Sequence, residues 1–316
     1  MQNITRRKFL SISSVTLGLS LLPLSLSANM KRASWEGTAL GAQSSILLYH
    51  LDQKYIENSL NECVKEIRRL EKIFSLFHRN SSIVQLNKQG FLNNPPKELV
   101  ELLSFSNRIS QLSHGAFDIT VQPLWNLHAK YYSKNKNFQS REFQKDLVEA
   151  KKNIGFENIS INKKRIEFKK KNMSITLNGI AQGFITDKIT ELLSKKGFSN
   201  ALISLGEIRG LGKHNNGNTW KIGFPKIENS KKLPNYVELK NQAISSSAGY
   251  GTKFNENYHH LFNPKTGTSA NFTKNVTILA PTATLADALS TTIAVMPKEE
   301  SIKLLKSFKN VSSYII

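Results

Sequence analysis

Ser174-Ile175-Thr176-Leu177-Asn178-Gly179-Ile180-Ala181-Gln182-Gly183 leads directly into a helical run over Phe184–Lys196. A strand over Ser174–Leu177 enters a turn framed by two glycines, and a helix leaves it. Backbone amides at such a helix start can hold phosphate or carboxylate. The glycine spacing is neither the P-loop nor the dinucleotide fingerprint, so the turn alone names no ligand. Upstream, Ser44–His50 reads as a strand. Ile56, Leu60, Val64, Ile67, Leu70 and Phe74 recur at three- and four-residue spacing, which predicts an amphipathic helix over Gln53–Phe74. Further helices are expected over Lys97–Leu112, opened by Pro95-Pro96, and over Phe143–Asn153. Ile159–Asn162 and Arg165–Phe168 form an expected hairpin. Downstream, strands are expected at Ala201–Leu205, Trp220–Gly223, Val237–Leu239, Ala243–Ser246, Tyr258–Phe262 and Val276–Leu279. A helix from Ala283 to Met296 follows, and Pro297 opens a last one to Lys306. Strands and helices neither alternate strictly nor segregate, which is an α+β layout of mixed sheets and helices.

The composition bounds the function. A chain of 316 residues with 39% hydrophobic and 9% aromatic content can bury a core, which excludes a disordered tail or a small stapled scaffold. The single cysteine, Cys63, allows no intramolecular disulfide and no Cys-based zinc site; beside the apolar stripe of its helix it reads as a packed thiol. The net charge of +21 invites a nucleic-acid reading. Much of it lies on expected solvated faces such as Lys163–Arg165 and Lys169–Lys171, and no nucleic-acid partner is expected. Three of the charges belong to an N-terminal address. Thr5-Arg6-Arg7-Lys8-Phe9-Leu10, a Ser-rich apolar run and the small residues Ser25-Leu26-Ser27-Ala28 form a signal peptide over 1–28, and the Arg pair before Phe-Leu fits twin-arginine export. A single domain over 29–316, periplasmic and without a stable membrane anchor after cleavage, is the expectation.

Four constellations carry chemistry. Gly115-Ala116-Phe117-Asp118-Ile119-Thr120-Val121-Gln122-Pro123-Leu124-Trp125 sets small residues, an aromatic and a carboxylate after a helix. Asp118 has two readings there, a ligand contact or the cap of a helix stop that leads into a strand. The second constellation is the Asn178–Gly183 turn. In the third, Tyr258-His259-His260-Leu261-Phe262-Asn263-Pro264-Lys265-Thr266-Gly267, strand alternation puts the two histidines on opposite faces, so at most one enters a given site. The Asn-Pro-Lys-Thr-Gly end is turn chemistry. The fourth is Ala286-Asp287-Ala288-Leu289-Ser290-Thr291. Asp287 and Thr291, four apart on a helix, share a face and make a hard-oxygen pair suited to Mg²⁺.

The order of these blocks, together with Glu36-Gly37-Thr38-Ala39-Leu40-Gly41, Ile73–Phe77 and Ser81–Asn87, resembles the ApbE family of FAD:protein FMN transferases over about residues 35–315. The resemblance implies the family's T-fold-like architecture. It also implies a Mg²⁺-dependent enzyme that splits FAD, releases AMP and joins FMN by a phosphoester bond to a Thr or Ser of an acceptor protein. On the family pattern, metal contact falls on Gly179, Asp287 and Thr291. Flavin contact falls on Leu40, Phe77, Ala116, Phe117, Asp118, Thr176, Gln182 and Leu261, and His260 is the candidate base for the acceptor hydroxyl. A flavin-binding maturation partner without turnover and an FAD pyrophosphatase are the rival readings. The implied acceptors are redox membrane subunits, periplasmic reductases or regulators; the twin-arginine signal is reminiscent of members that accompany nitrous-oxide reductase maturation. Thr176, Asn178, Gln182 and Asn263 depart from the family's Asp, Gly, Lys and Asp. Each exchange that drops a charge removes a bond worth roughly 1.5–3 kcal/mol.

Overall fold

The computed structural model describes residues 30–224 and 234–316. The expected signal peptide over 1–28 lies outside the described residues.

The chain opens with a hairpin of β1 (Lys31–Ala39) and β2 (Ala42–His50). Its two turn residues, Leu40 and Gly41, have φ of 47° and 85°, the backbone of a primed two-residue turn. A leucine in the left-handed region costs about 1–2 kcal/mol. The Leu40 N–H is held in place by donating to Glu71 Oε1 at 2.9 Å, and Arg68, paired with Glu71, donates to the Thr38 carbonyl. The hairpin starts a seven-stranded sheet that continues through β6 (Ala201–Leu205), β7 (Ile208–Leu211), β10 (Gln242–Ser247), β11 (Val276–Ala280) and β12 (Ser312–Ile315) in that order. Every neighbouring pair is antiparallel.

Strand alternation sorts the core. Ile46, Leu48, Ala201, Ile203 and Leu205 face the helices α1 (Gln53–Phe74) and α6 (Ala181–Lys195), while Ala243, Val276, Ile278 and Ala280 meet α7 (Ala283–Ala294). The intervening Leu202, Ile244 and Leu279 turn the other way, onto a ribbon of β8 (Trp220–Gly223) and β9 (Tyr236–Leu239). α1 buries Ile56, Leu60, Cys63, Ile67, Leu70 and Phe74, and Asp52 caps its start by accepting from the Tyr55 N–H. Cys63 rather than Val64 sits on the buried stripe, and burial pushes its thiol up to about 12. A smaller antiparallel sheet, β3 (Phe91–Asn93), β5 (Arg165–Phe168) and β4 (Ile159–Ile161), packs beside α2 (Ser82–Gln89) and α3 (Lys97–Leu112). α4 (Gln122–Ser133) and α5 (Arg141–Lys152) enclose an aromatic cluster, and α8 (Lys298–Leu305) precedes β12. Among the described residues no helix is long and apolar enough to cross a membrane.

The structure corrects three elements. Ser174–Leu177 belongs to no sheet: the Asn87 side chain takes both backbone groups of Ile175, at 2.7 and 2.8 Å. After Asp118 the chain forms a 3₁₀ turn and then α4, not a strand, because Pro123 sits in the first helical turn where its missing N–H is harmless. Tyr258–Phe262 makes only isolated bridges, Lys253 with His259 and Phe262 with Ser269.

Candidate active site

Two helix starts cross at the floor of the site. α6 begins at Ala181 without a side-chain cap of its own; the Gly183 N–H donates instead to Asp287 Oδ2 of α7 at 3.0 Å. The crossing is tight enough to require glycine. A Cβ on Gly183 would stand 2.3 Å from the Ala283 carbonyl oxygen, and one on Gly179 would stand 2.8 Å from Thr291 Oγ1. Asp187 locks the other side, accepting from the Ala283 and Thr284 N–H groups and the Thr284 hydroxyl while pairing with Arg209. Asp287 therefore serves the start of the neighbouring helix, and its Oδ1 has no hydrogen bond among the described residues.

Above this floor opens a cavity of about 1110 Å³. All twelve residues that the sequence singles out line it: Leu40, Phe77, Ala116, Phe117, Asp118, Thr176, Gly179, Gln182, His260, Leu261, Asp287 and Thr291. They come from six separate stretches of chain. Phe77, Phe117, Trp125, Tyr132, Tyr250 and Phe262 give the walls an aromatic character. Phe77 is 47% exposed, an aromatic face left free for a ligand ring.

The Asp118 carboxylate caps the 3₁₀ turn and ties the next loop while the residue also lines the cavity. Oδ1 accepts from the Thr120 N–H and hydroxyl at 2.8 and 2.6 Å, and Oδ2 accepts from the Phe156 N–H at 3.1 Å. Burial raises its pKa to about 6 against the pull of those donors. The bonds fix the loop that presents Ala116 and Phe117 to the cavity.

The two histidines separate as alternation predicts, even without a strand. His259 points away: its Nε2 contacts Asn271 Oδ1 at 3.1 Å and its Nδ1 accepts from the Leu261 N–H. His260 lines the cavity, with Nδ1 3.2 Å from the Thr252 carbonyl. A carbonyl only accepts, so Nδ1 carries the proton and Nε2 keeps its lone pair. Burial holds the His260 pKa down at about 4, so the ring is neutral at physiological pH.

The departures from the family pattern have local partners. Thr176 Oγ1 accepts from the Asn178 N–H, Gln182 lies over Gly206, and Asn263 Oδ1 accepts from the Lys265 and Thr266 N–H groups to shape the expected turn.

Sequence reasoning missed Glu207. It occupies the two-residue turn between β6 and β7, is buried, and lines the same cavity. A carboxylate after Gly206 between two apolar strands was the available signal. Burial and the negative charge of Asp287 push Glu207 well above the usual carboxylate range. Burial, helped by Asp187 and opposed by the Gly183 N–H, raises Asp287 to about 7. Neither carboxylate has a basic partner among the described residues. No group of three or more His, Cys, Asp and Glu side chains that could hold a metal occurs among them either. What the site offers is the Asp287 carboxylate, the Thr291 hydroxyl and the Gly179 carbonyl, hard oxygens that fit a cation such as Mg²⁺ sharing its sphere with a ligand.

Fold and site together define an α+β protein whose cavity joins aromatic walls to an oxygen-lined floor at two crossing helix starts. Residues 40–315 match the ApbE family, and the chain belongs to that family. It is 26% identical to the FAD:protein FMN transferase of Haemophilus influenzae over 316 residues, covering 93% of this chain and 90% of that protein. With the FAD:protein FMN transferase of Escherichia coli K12 it shares 23% identity, covering 86% and 80% of the two chains. Among solved structures, the ApbE protein of Thermotoga maritima superposes with a TM-score of 0.75 at 28% identity, covering 90% of this chain and 94% of that one. The apo flavinyl transferase ApbE of Pseudomonas stutzeri superposes at 0.77 with 22% identity and 92% coverage of each.

Proposed function

We propose that this chain is a Mg²⁺-dependent FAD:protein FMN transferase acting on a Thr or Ser of an acceptor protein. The observation that carries the reading is the convergence, from six distant stretches, of an aromatic wall, an oxygen floor and a neutral histidine on one cavity. The aromatic walls suit the isoalloxazine ring, and the floor suits the pyrophosphate. Asp287, Thr291 and the Gly179 carbonyl would hold the cation, which when bound offsets the charge of the pyrophosphate and of departing AMP.

The chain's own groups account for the proton. His260 is fixed by Thr252 with Nε2 free, and accepts the proton of the acceptor hydroxyl as that oxygen bonds to the FMN phosphorus. The bond from that phosphorus to the AMP oxygen breaks. The half-exposed Phe77 at the rim leaves the cavity open to an incoming protein segment.

The test is incubation of the full chain with FAD, Mg²⁺ and a peptide bearing an acceptor Thr. AMP with flavinylated peptide is the expected result. AMP with free FMN would assign a pyrophosphatase, and release of neither product would overturn the enzymatic reading. The export reading rests on Arg6-Arg7 before Phe9-Leu10. It expects the double change Arg6→Lys and Arg7→Lys to retain the protein in the cytoplasm on fractionation.

A further inference from the structure

A chain of hydroxyls runs behind the cavity floor. Buried Ser245 Oγ lies 2.9 Å from Ser290 Oγ, which lies 2.8 Å from Ser247 Oγ, which in turn lies 3.3 Å from Thr291 Oγ1. Ser290 also donates to the Asp287 carbonyl at 3.0 Å. Ser247 and Thr291 line the cavity, whereas Ser290 is fully buried and does not.

Proton accounting gives this chain a direction. A hydroxyl has one proton and two lone pairs. A backbone carbonyl can only accept, so the single proton of Ser290 goes to the Asp287 oxygen. The Ser290 oxygen then accepts from Ser247, whichever way the Ser245 hydroxyl turns, since that hydroxyl also bonds the Glu207 carboxylate. With its own proton spent on Ser290, Ser247 can meet Thr291 only as an acceptor. Thr291 must therefore donate to Ser247. Its proton points back into the protein, away from Gly179, whose missing Cβ would stand 2.8 Å from the same oxygen.

We infer that Ser290 and Ser247 are positioning residues that set the rotor of Thr291 so that its oxygen lone pairs face the cavity and are free for a cation. The inference rests on the reading of Thr291 as a cation ligand. It adds that the ligand is prepared by a residue with no access to the cavity. Without Ser290 the Ser247 proton has no acceptor behind it and turns to Thr291, occupying a lone pair the cation needs.

The test measures Mn²⁺ alone, by electron paramagnetic resonance of the free ion, against the full chain and its variants, with thermal unfolding followed in parallel. Ser290→Ala should weaken Mn²⁺ binding about fivefold, the effect of one misdirected hydrogen bond. In a Ser247→Ala background the same change should add nothing, because the group that relays it is gone. Ser247→Thr, which keeps the hydroxyl, should bind as the wild type does. Wild-type affinity in Ser290→Ala, or an equal loss with and without Ser247, would overturn the ordering of the rotor. If Ser290→Ala does not fold, the contrast between Ser247→Ala and Ser247→Thr at the cavity surface decides: equal affinities overturn the inference. Thr291→Val separates the two levels. Undiminished binding there would remove the ligand reading and this inference with it, whereas weakened binding beside an unaffected Ser290→Ala removes the inference alone.

Discussion

His128 sits where no charge can follow it. Its ring is fully buried among Phe138, Phe143, Phe254, Tyr258 and Phe262, the nearest centroid, that of Phe262, being 4.6 Å away. Nδ1 lies 2.8 Å from the Leu124 carbonyl and carries the proton, and Nε2 has no partner. Burial holds the pKa down at about 4 from 6.5, against the pull of that carbonyl. The unfolded chain therefore takes up a proton below pH 6.5 that the folded chain refuses until about pH 4. Stability present above 6.5 is lost as the pH falls through that window. Between pH 8 and pH 5 the loss from this one residue comes to about 2 kcal/mol, at about 1.4 kcal/mol per pH unit across the titrating range. His128→Phe removes both the proton and the orphaned nitrogen, whose burial costs about 1–3 kcal/mol. The extra bulk of Phe offsets part of that gain. Urea unfolding followed by circular dichroism at pH 8 and pH 5 should show the variant at least as stable as the wild type at pH 8. At pH 5 its advantage should be larger by about 2 kcal/mol. His260 titrates with the same sign in both proteins and cancels in the comparison. Equal losses between pH 8 and pH 5 in wild type and variant would refute the reasoning.

Other outcomes follow from the site. His260→Ala should lower AMP release about 10²–10⁴-fold, with FAD binding by fluorescence quenching little changed, since the ring acts on the acceptor proton. Gly183→Ala should destabilise the fold by about 1–3 kcal/mol, because its Cβ meets the Ala283 carbonyl at 2.3 Å, and thermal unfolding reads the loss. Leu40→Asn places a residue suited to the turn where Leu is strained. Relief of about 1–2 kcal/mol should roughly balance the lost packing. Stability should stay near the wild-type value while FAD affinity falls several-fold in a binding titration.

The elements that could be read from the sequence are those in which local and tertiary demands agree. The bounds of α1 and of α3 match the structure end to end, and the stripe of α1 does so except that Cys63 takes the place of Val64. Four strands of the central sheet, β2, β6, β10 and β11, were legible within two residues, whereas β7 was not. Those that were not legible lack a local signature. β1 is an edge strand with one side in solvent, and β12 pairs on a single side at the chain's end. Ser174–Leu177 has the pattern of a strand, but its backbone bonds the Asn87 side chain and the Ile119 carbonyl, which no local pattern reveals.

The site divides the same way. Local geometry was legible: Asp287 and Thr291 share a face of one helix, and two glycines frame the start of α6. What Asp118 and Asp287 actually bind, the entry of Glu207 into the cavity and the direction of the Ser290–Ser247–Thr291 hydroxyls were decided only in three dimensions. A carboxylate or hydroxyl takes its role from the donors and acceptors within 3 Å, and folding brings those from far along the chain, as with the 104 residues between Gly183 and Asp287.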